Sequence, residues 1–226
     1  MFKKTFSMIC CVIFLQGCSQ EQEVKKEMTN METALLAATE KNETNTIISL
    51  LKQGANINAT DNQGRTPLMI ATYKNNVKTA KALIEAGADV NIQDDMKNNP
   101  FLYAGAEGYL DILKLTIDAG ADPTITNRYG GTALIPASEQ GYIDVIKELL
   151  TRTNIDVNHV NNLGWTALME AIVLSNGNET QQQVIRLLIE HGADVNIPDN
   201  DGVTPLEHAR TYHFEEIEKI LLEGRK

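Results

Sequence analysis

Thiols are almost missing from this chain. Of 226 residues only Cys10, Cys11 and Cys18 are cysteine, so nothing after residue 18 can form an intramolecular disulfide or a cysteine-based metal site. Positive charge is scarce too: 20 Lys and Arg face 30 Asp and Glu, a net charge of −10. A field of that sign repels phosphate, which excludes nucleic acid and anionic bilayer surfaces as partners. Only 6 prolines and 15 glycines are present, which excludes collagen-like and low-complexity classes. No Gly-x-Ser-x-Gly elbow, no His-Glu-x-x-His and no phosphate loop occurs, so no known enzyme signature is carried. Histidine is limited to His159, His191, His208 and His213, and the one close pair, five residues apart, does not share a helix face. Neither a metal nor a cofactor is expected. What is abundant is apolar side chain, 42% of the sequence, so stability must come from packing.

Lys3 and Lys4 precede a run from Phe6 to Leu15 that is apolar apart from Ser7, and Gly17 follows. This is the layout of a secretory signal, too short for a spanning helix. The stretch Leu15-Gln16-Gly17-Cys18 resembles the bacterial lipoprotein box. That resemblance implies a signal peptide over 1–17, cleavage before Cys18, and lipidation of Cys18 as the first residue of the mature chain. Removing the signal takes away two lysines and no acids, so the remainder is more acidic still. Two or three acyl chains hold a protein firmly in a bilayer, where one does not. By the same analogy Ser19 beside the cysteine favours the outer membrane, facing the periplasm of the bacterial envelope. Residues 18–31 read as the lipidated cysteine and a polar tether, and 32–226 as the folded part.

From Thr29 onward the chain repeats. The slot Thr66-Pro67-Leu68 recurs as Thr33-Ala34-Leu35, Asn99-Pro100-Phe101, Thr132-Ala133-Leu134, Thr166-Ala167-Leu168 and Thr204-Pro205-Leu206, at intervals of 33, 33, 33, 34 and 38. A second marker keeps phase with it: Gly54-Ala55-Asn56, Gly87-Ala88-Asp89, Gly120-Ala121-Asp122 and Gly192-Ala193-Asp194. The pattern resembles ankyrin repeats, whose period is 33 residues. The residues make sense in that frame. Asp61-Asn62-Gln63-Gly64 and Asp199 to Gly202 have hairpin-tip chemistry, Thr66 caps a helix opened by Pro67, and Asn75-Asn76 interrupts it. Ala80, Leu83 and Ile84 then stripe a second helix that stops at Gly87. The expected fold is an all-α solenoid of six helix-turn-helix units with β-hairpin-like finger loops, starting near 29, 61, 94, 127, 161 and 199.

Departures from the period are informative. Repeat one lacks the tip turn, having Met28 to Met31 there, and its outer helix carries Glu40, Lys41, Glu43 and Lys52; the last repeat turns Glu215, Glu216, Glu218 and Lys219 outward, so both ends look like solubilising caps. Repeat three has Lys97 and Asn99 where glycine and threonine are expected, which predicts a less regular tip. Repeat four ends in Thr153-Asn154-Ile155-Asp156, and repeat five carries five extra residues around Ser175-Asn176-Gly177-Asn178 that lengthen the turn between its helices. Arg128-Tyr129-Gly130-Gly131-Thr132-Ala133-Leu134 and Gly164-Trp165-Thr166-Ala167-Leu168 further resemble small stand-alone bacterial ankyrin proteins, a likeness that sharpens fold rather than function.

In ankyrin stacks the tips and the ends of the first helices line a concave groove. Large apolar residues gather there in repeats four to six: Tyr129, Leu163, Trp165, Val173, Leu174 and Tyr212, with Arg128 and Glu139 as a polar rim. Aromatic clusters of this kind concentrate interface energy. The same residues have a plainer reading, with Trp165 covering the next turn and Val173 and Leu174 packed under the Ser175 loop. The expected function is therefore that of a monomeric, non-catalytic, membrane-anchored module binding a protein partner. The alternative is a periplasmic inhibitor, immunity or protective partner of an envelope enzyme or toxin. An enzyme, for which Glu139, Glu170 and His159 are the only acid–base candidates, ranks last.

Overall fold

In the computed structural model, residues 29–224 are described; the expected signal peptide, the expected lipidation site Cys18 and most of the expected tether lie outside them. The described chain forms twelve helices and no strand. They pair as α1 (Asn30–Glu40) with α2 (Thr44–Lys52), α3 (Pro67–Tyr73) with α4 (Val77–Glu85), and α5 (Pro100–Ala106) with α6 (Leu110–Asp118). Then follow α7 (Leu134–Gln140) with α8 (Ile143–Arg152), α9 (Ala167–Val173) with α10 (Glu179–Glu190), and α11 (Pro205–Thr211) with α12 (Glu215–Glu223). First helices stack on first helices and second on second, so each unit contacts mainly its neighbours. The result is an all-α solenoid.

Local chemistry explains the boundaries. Thr66, Asn99, Thr166 and Thr204 each accept the backbone N–H three residues on, satisfying a donor that a helix start leaves orphaned. Asn42, Asn75 and His213 take left-handed backbone between the paired helices, where repeats three and four use Gly108 and Gly141. After α4 the chain leaves through Gly87, whose N–H reaches the Ile84 carbonyl while that of Ala88 reaches Leu83. One apolar core runs the length of the stack, with Leu35, Leu68, Phe101, Leu134, Leu168 and Leu206 buried on the first helices and Ile47, Leu83, Ile112, Ile146, Ile185 and Ile217 on the second.

The structure departs from the sequence pattern in five places. Helix α1 starts at Asn30, a turn before the aligned Thr33, because Thr29 and Glu32 form a reciprocal capping box; Asn30 and Met31 are helical rather than tether. The tip of repeat three is as regular as the others, since Lys97 itself adopts φ +61° and Asn99 caps in place of threonine. Thr132 does not cap α7. Pro136 has no N–H to give the Thr132 carbonyl, which takes that of Ile135 instead, leaving the buried Thr132 hydroxyl without a partner. The insertion of repeat five goes partly into helix: α10 has 12 residues against 9 in α4 and α6. At the last repeat, Glu216 and Glu218 lean onto Arg186 and Arg210 rather than standing free.

Candidate functional site

Five tips share one device. The first residue of each, Asp61, Asp94, Asn127, Asn161 and Asp199, accepts two backbone N–H groups of its own turn at 2.8–3.0 Å through Oδ1. Their other side-chain atom is then available to the concave face. Asp61 takes the Arg65 guanidinium at 2.7 Å, and Asp94 the Tyr73 hydroxyl at 2.5 Å. Asp199 takes His208 Nε2 at 2.7 Å. That hydrogen bond, ahead of the burial that opposes it, holds the Asp199 carboxyl below its usual range. Asn161 reverses the polarity: its amide donates at 2.8 Å to the Glu170 carboxylate, which an aspartate there would repel.

The first helices supply the floor. Their short length means that one residue near the middle and one or two at or just past the end face the groove: Tyr103 and Ala106 on α5 with Glu107 just after it, Pro136 and Glu139 on α7, and Glu170 on α9 with Leu174 just after it. These residues, with the tips Met96, Arg128, Tyr129 and Leu163, enclose a cavity of about 560 Å³ in the middle of the groove. Tyr73 and Tyr103 meet edge to face at 4.4 Å along one wall, and Tyr109 continues the series at 6.1 Å from Tyr103. Burial, reinforced by the bond to Asp94, pushes the Tyr73 hydroxyl up to about 12. Arg128 stacks over the Tyr129 ring at 4.8 Å.

Glu170 is the unusual member. Only 7% exposed, it receives one donor, Asn161, at Oε1. Burial first, and then the Glu139 charge, push its carboxyl up to about 7 against the help of Asn161.

Five of the eight groove residues read from the sequence line this cavity: Arg128, Tyr129, Glu139, Leu163 and Leu174. Three do not. Trp165 and Val173 are half-buried away from it, and Tyr212 lies against His208 at 6.0 Å and Phe214 at 5.6 Å in the last repeat. The cavity therefore sits one to two units earlier than the apolar cluster read from the sequence. Leu174 is half exposed, so it is not packed under the Ser175 loop. Met96 and Tyr73 occupy tip and helix-end positions that the repeat assigns to the groove, without standing out there in the sequence; Tyr103 and Asp94 do not occupy such positions. Tyr103 and Glu170 occupy the same repeat position, one turn before the helix-end residues, and the helical period placed them on the same face. Of the acid–base candidates Glu139 and Glu170 share the cavity, whereas His159 is elsewhere, with Nε2 2.7 Å from the Gly130 carbonyl oxygen.

The profile described as ankyrin repeats in three copies matches residues 5–94 and 101–199. The chain belongs to the ankyrin-repeat family. Domains of this family typically mediate protein–protein interaction. An ankyrin-repeat domain from Acinetobacter baumannii AYE, known from its crystal structure, is 51% identical and superposes with a TM-score of 0.84, covering 86% of this chain and 98% of that one. The ankyrin repeat domain of Bcl-3, at 23% identity and a TM-score of 0.75 over 84% of this chain and 85% of that one, supports the fold alone. Among curated ankyrin proteins, YahD of Escherichia coli K12 is 53% identical over 76 residues, 34% of this chain. That segment spans only 38% of YahD.

Proposed function

We propose that this ankyrin-repeat chain is a non-catalytic, monomeric binding module that receives a protein partner in the central groove. The observation that carries the reading is a contiguous apolar row on the tips and helix ends: Met96, Tyr129, Leu163 and Leu174 are all about half exposed, between 49% and 55%, around one cavity. Leaving such a patch in water is unfavourable, and covering it with a partner recovers roughly 25 cal/mol per Å² of apolar area. Anchoring in the bacterial envelope through Cys18, at the outer membrane facing the periplasm, rests on the signal-like N-terminus. The carboxylates of the groove favour a basic partner, which suits the inhibitory or protective role as the alternative.

The test is affinity capture from detergent-solubilised envelopes, with the full chain and with a Leu163→Ser, Leu174→Ser variant of unchanged melting temperature. A protein retained by the first and lost from the second supports the groove; identical retention by both removes it. Cys18→Ala separately tests the anchor, because the variant should leave the membrane fraction.

A further inference from the structure

At the fifth position of each tip the chain has Arg65, Asn98, Gly131, Trp165 and Val203. Gly131 is not required by its backbone, which is outside the left-handed region, and a Cβ there would lie 3.5 Å or more from its nearest neighbours, Asn127 and Ile135. What the glycine provides is room. The cavity of about 560 Å³ opens beside it, with Tyr103 and Glu107 from the preceding repeat and Glu139 and Glu170 from its own and the next. We propose that this cavity is a receptor for one basic side chain, a lysine or arginine carried on a protein segment lying in the groove. The proposal rests on the groove reading above and specifies what enters it.

Three independent features agree. Glu170 lines the cavity at 7% exposure, and its Oε2 accepts no hydrogen bond among the described residues. Second, none of Glu107, Glu139 and Glu170 forms an ion pair among the described residues, although eleven Lys or Arg pairs with carboxylates are made elsewhere. The one cation of the lining, Arg128, is turned to the Tyr129 ring and the Met96 sulfur at 3.7 Å, and neutralises none of them. Third, the Tyr103 ring lines the same space, and an aromatic face beside carboxylates attracts a cation. Leu163 and Leu174 at the rim suit the methylenes of a long basic side chain.

Two neighbouring carboxyls, one of them buried, do not both ionise readily, so Glu170 keeps its proton up to about pH 7. An entering guanidinium or ammonium replaces that proton. The other charged groups lining the cavity around Glu170 are Arg128 on the tip, Glu107 just after α5 and Glu139 on α7.

The experiment follows Glu170 by carboxyl-carbon NMR in the full chain, titrated in the presence of butylguanidinium chloride, of sodium chloride at equal ionic strength, and of neutral pentanamide. Butylguanidinium should lower the Glu170 midpoint by about one pH unit or more, the effect of an opposite charge a few ångströms away. Sodium chloride and pentanamide should not. Gly131→Leu, which fills the cavity without straining the backbone, should abolish the displacement while the chain melts as before. Equal movement with sodium chloride, or movement that persists in Gly131→Leu, overturns the proposal. If capture of a partner depends on Leu163 and Leu174 while butylguanidinium leaves Glu170 unmoved, the cation receptor falls and the groove stands. If Glu170 responds but capture is indifferent to both leucines, the groove reading fails, and the protein-borne cation with it.

Discussion

A carboxyl buried beside another carboxylate holds its proton more firmly in the folded chain than in the unfolded one, and Glu170 is that case. Its ordinary value of 4.5 rises to about 7 on folding, so between those pH values the native state binds more protons than the unfolded state. Stability is therefore greatest below the unfolded value and falls as pH rises through about 7. Glu170→Gln should match the wild type in acid and exceed it at higher pH, by up to about 3 kcal/mol. Melting curves across that range check this, and a constant difference between the two chains would contradict it. Threonine caps offer a second contrast. Thr66→Val removes the acceptor of the Met69 N–H and should destabilise by about 1 kcal/mol. Thr132→Val removes a buried hydroxyl that has no partner and should be neutral or stabilising. Chemical denaturation of the pair decides whether a conserved-looking slot is one interaction or two.

Elements pack closely enough for a single methyl to matter. Gly105 lies inside α5, and a Cβ there would stand 2.9 Å from the Ala133 Cβ and 3.3 Å from its carbonyl oxygen. Gly105→Ala gains about 1 kcal/mol in helix propensity yet should lose stability by 1 to 3 kcal/mol, as overpacked cores do, roughly 2–4 °C in melting temperature per kcal/mol. A rise in melting temperature would show that α5 and α7 can separate at little cost. At this scale most of the architecture was legible in the sequence. Period, cap, tip turn and terminating glycine are short-range signals written within each repeat, and they located six helix pairs. The exceptions are just as physical. Pro136 disables the Thr132 cap from four residues away, and Lys97 tolerates a backbone usually left to glycine. The cavity was read less well because it depends on a side chain that is missing, Gly131, and on Tyr103 and Glu170, which look like helix interior until neighbouring repeats are stacked. Trp165 drew attention by its size, although the stack half-buries it away from the cavity.

Across the whole molecule the ties between repeats are uneven. Asn58, Asn91 and Asn158 each accept the backbone N–H of an aspartate in the next unit, Asp89, Asp122 and Asp194, at 2.7–3.0 Å. Between repeats three and four the equivalent residue is Thr124, whose hydroxyl turns back to its own Asp122. Backbone bonds from Asp95 to Gln63 and from Asn162 to Tyr129 join two pairs of tips, with no counterpart between Arg128 and Met96, or between Asn200 and Leu163, among the described residues. Besides apolar packing, that seam keeps the Arg128 contact with the Met96 sulfur and the surface pairs Lys114–Glu148 and Arg152–Asp118, and exposed pairs contribute little. Hydrogen exchange should show the Asp122 to Thr132 amides opening before the cores on either side, and Thr124→Asn should slow them. Uniform exchange along the stack would contradict the seam.

The central cavity takes its walls from both sides of that seam. The compliance of the solenoid is thus concentrated at the joint where a ligand would lodge. An occupant would act as a splint: it would stiffen the curvature of the whole rod from one contact point, and two halves that loosen separately when empty would melt as a single piece.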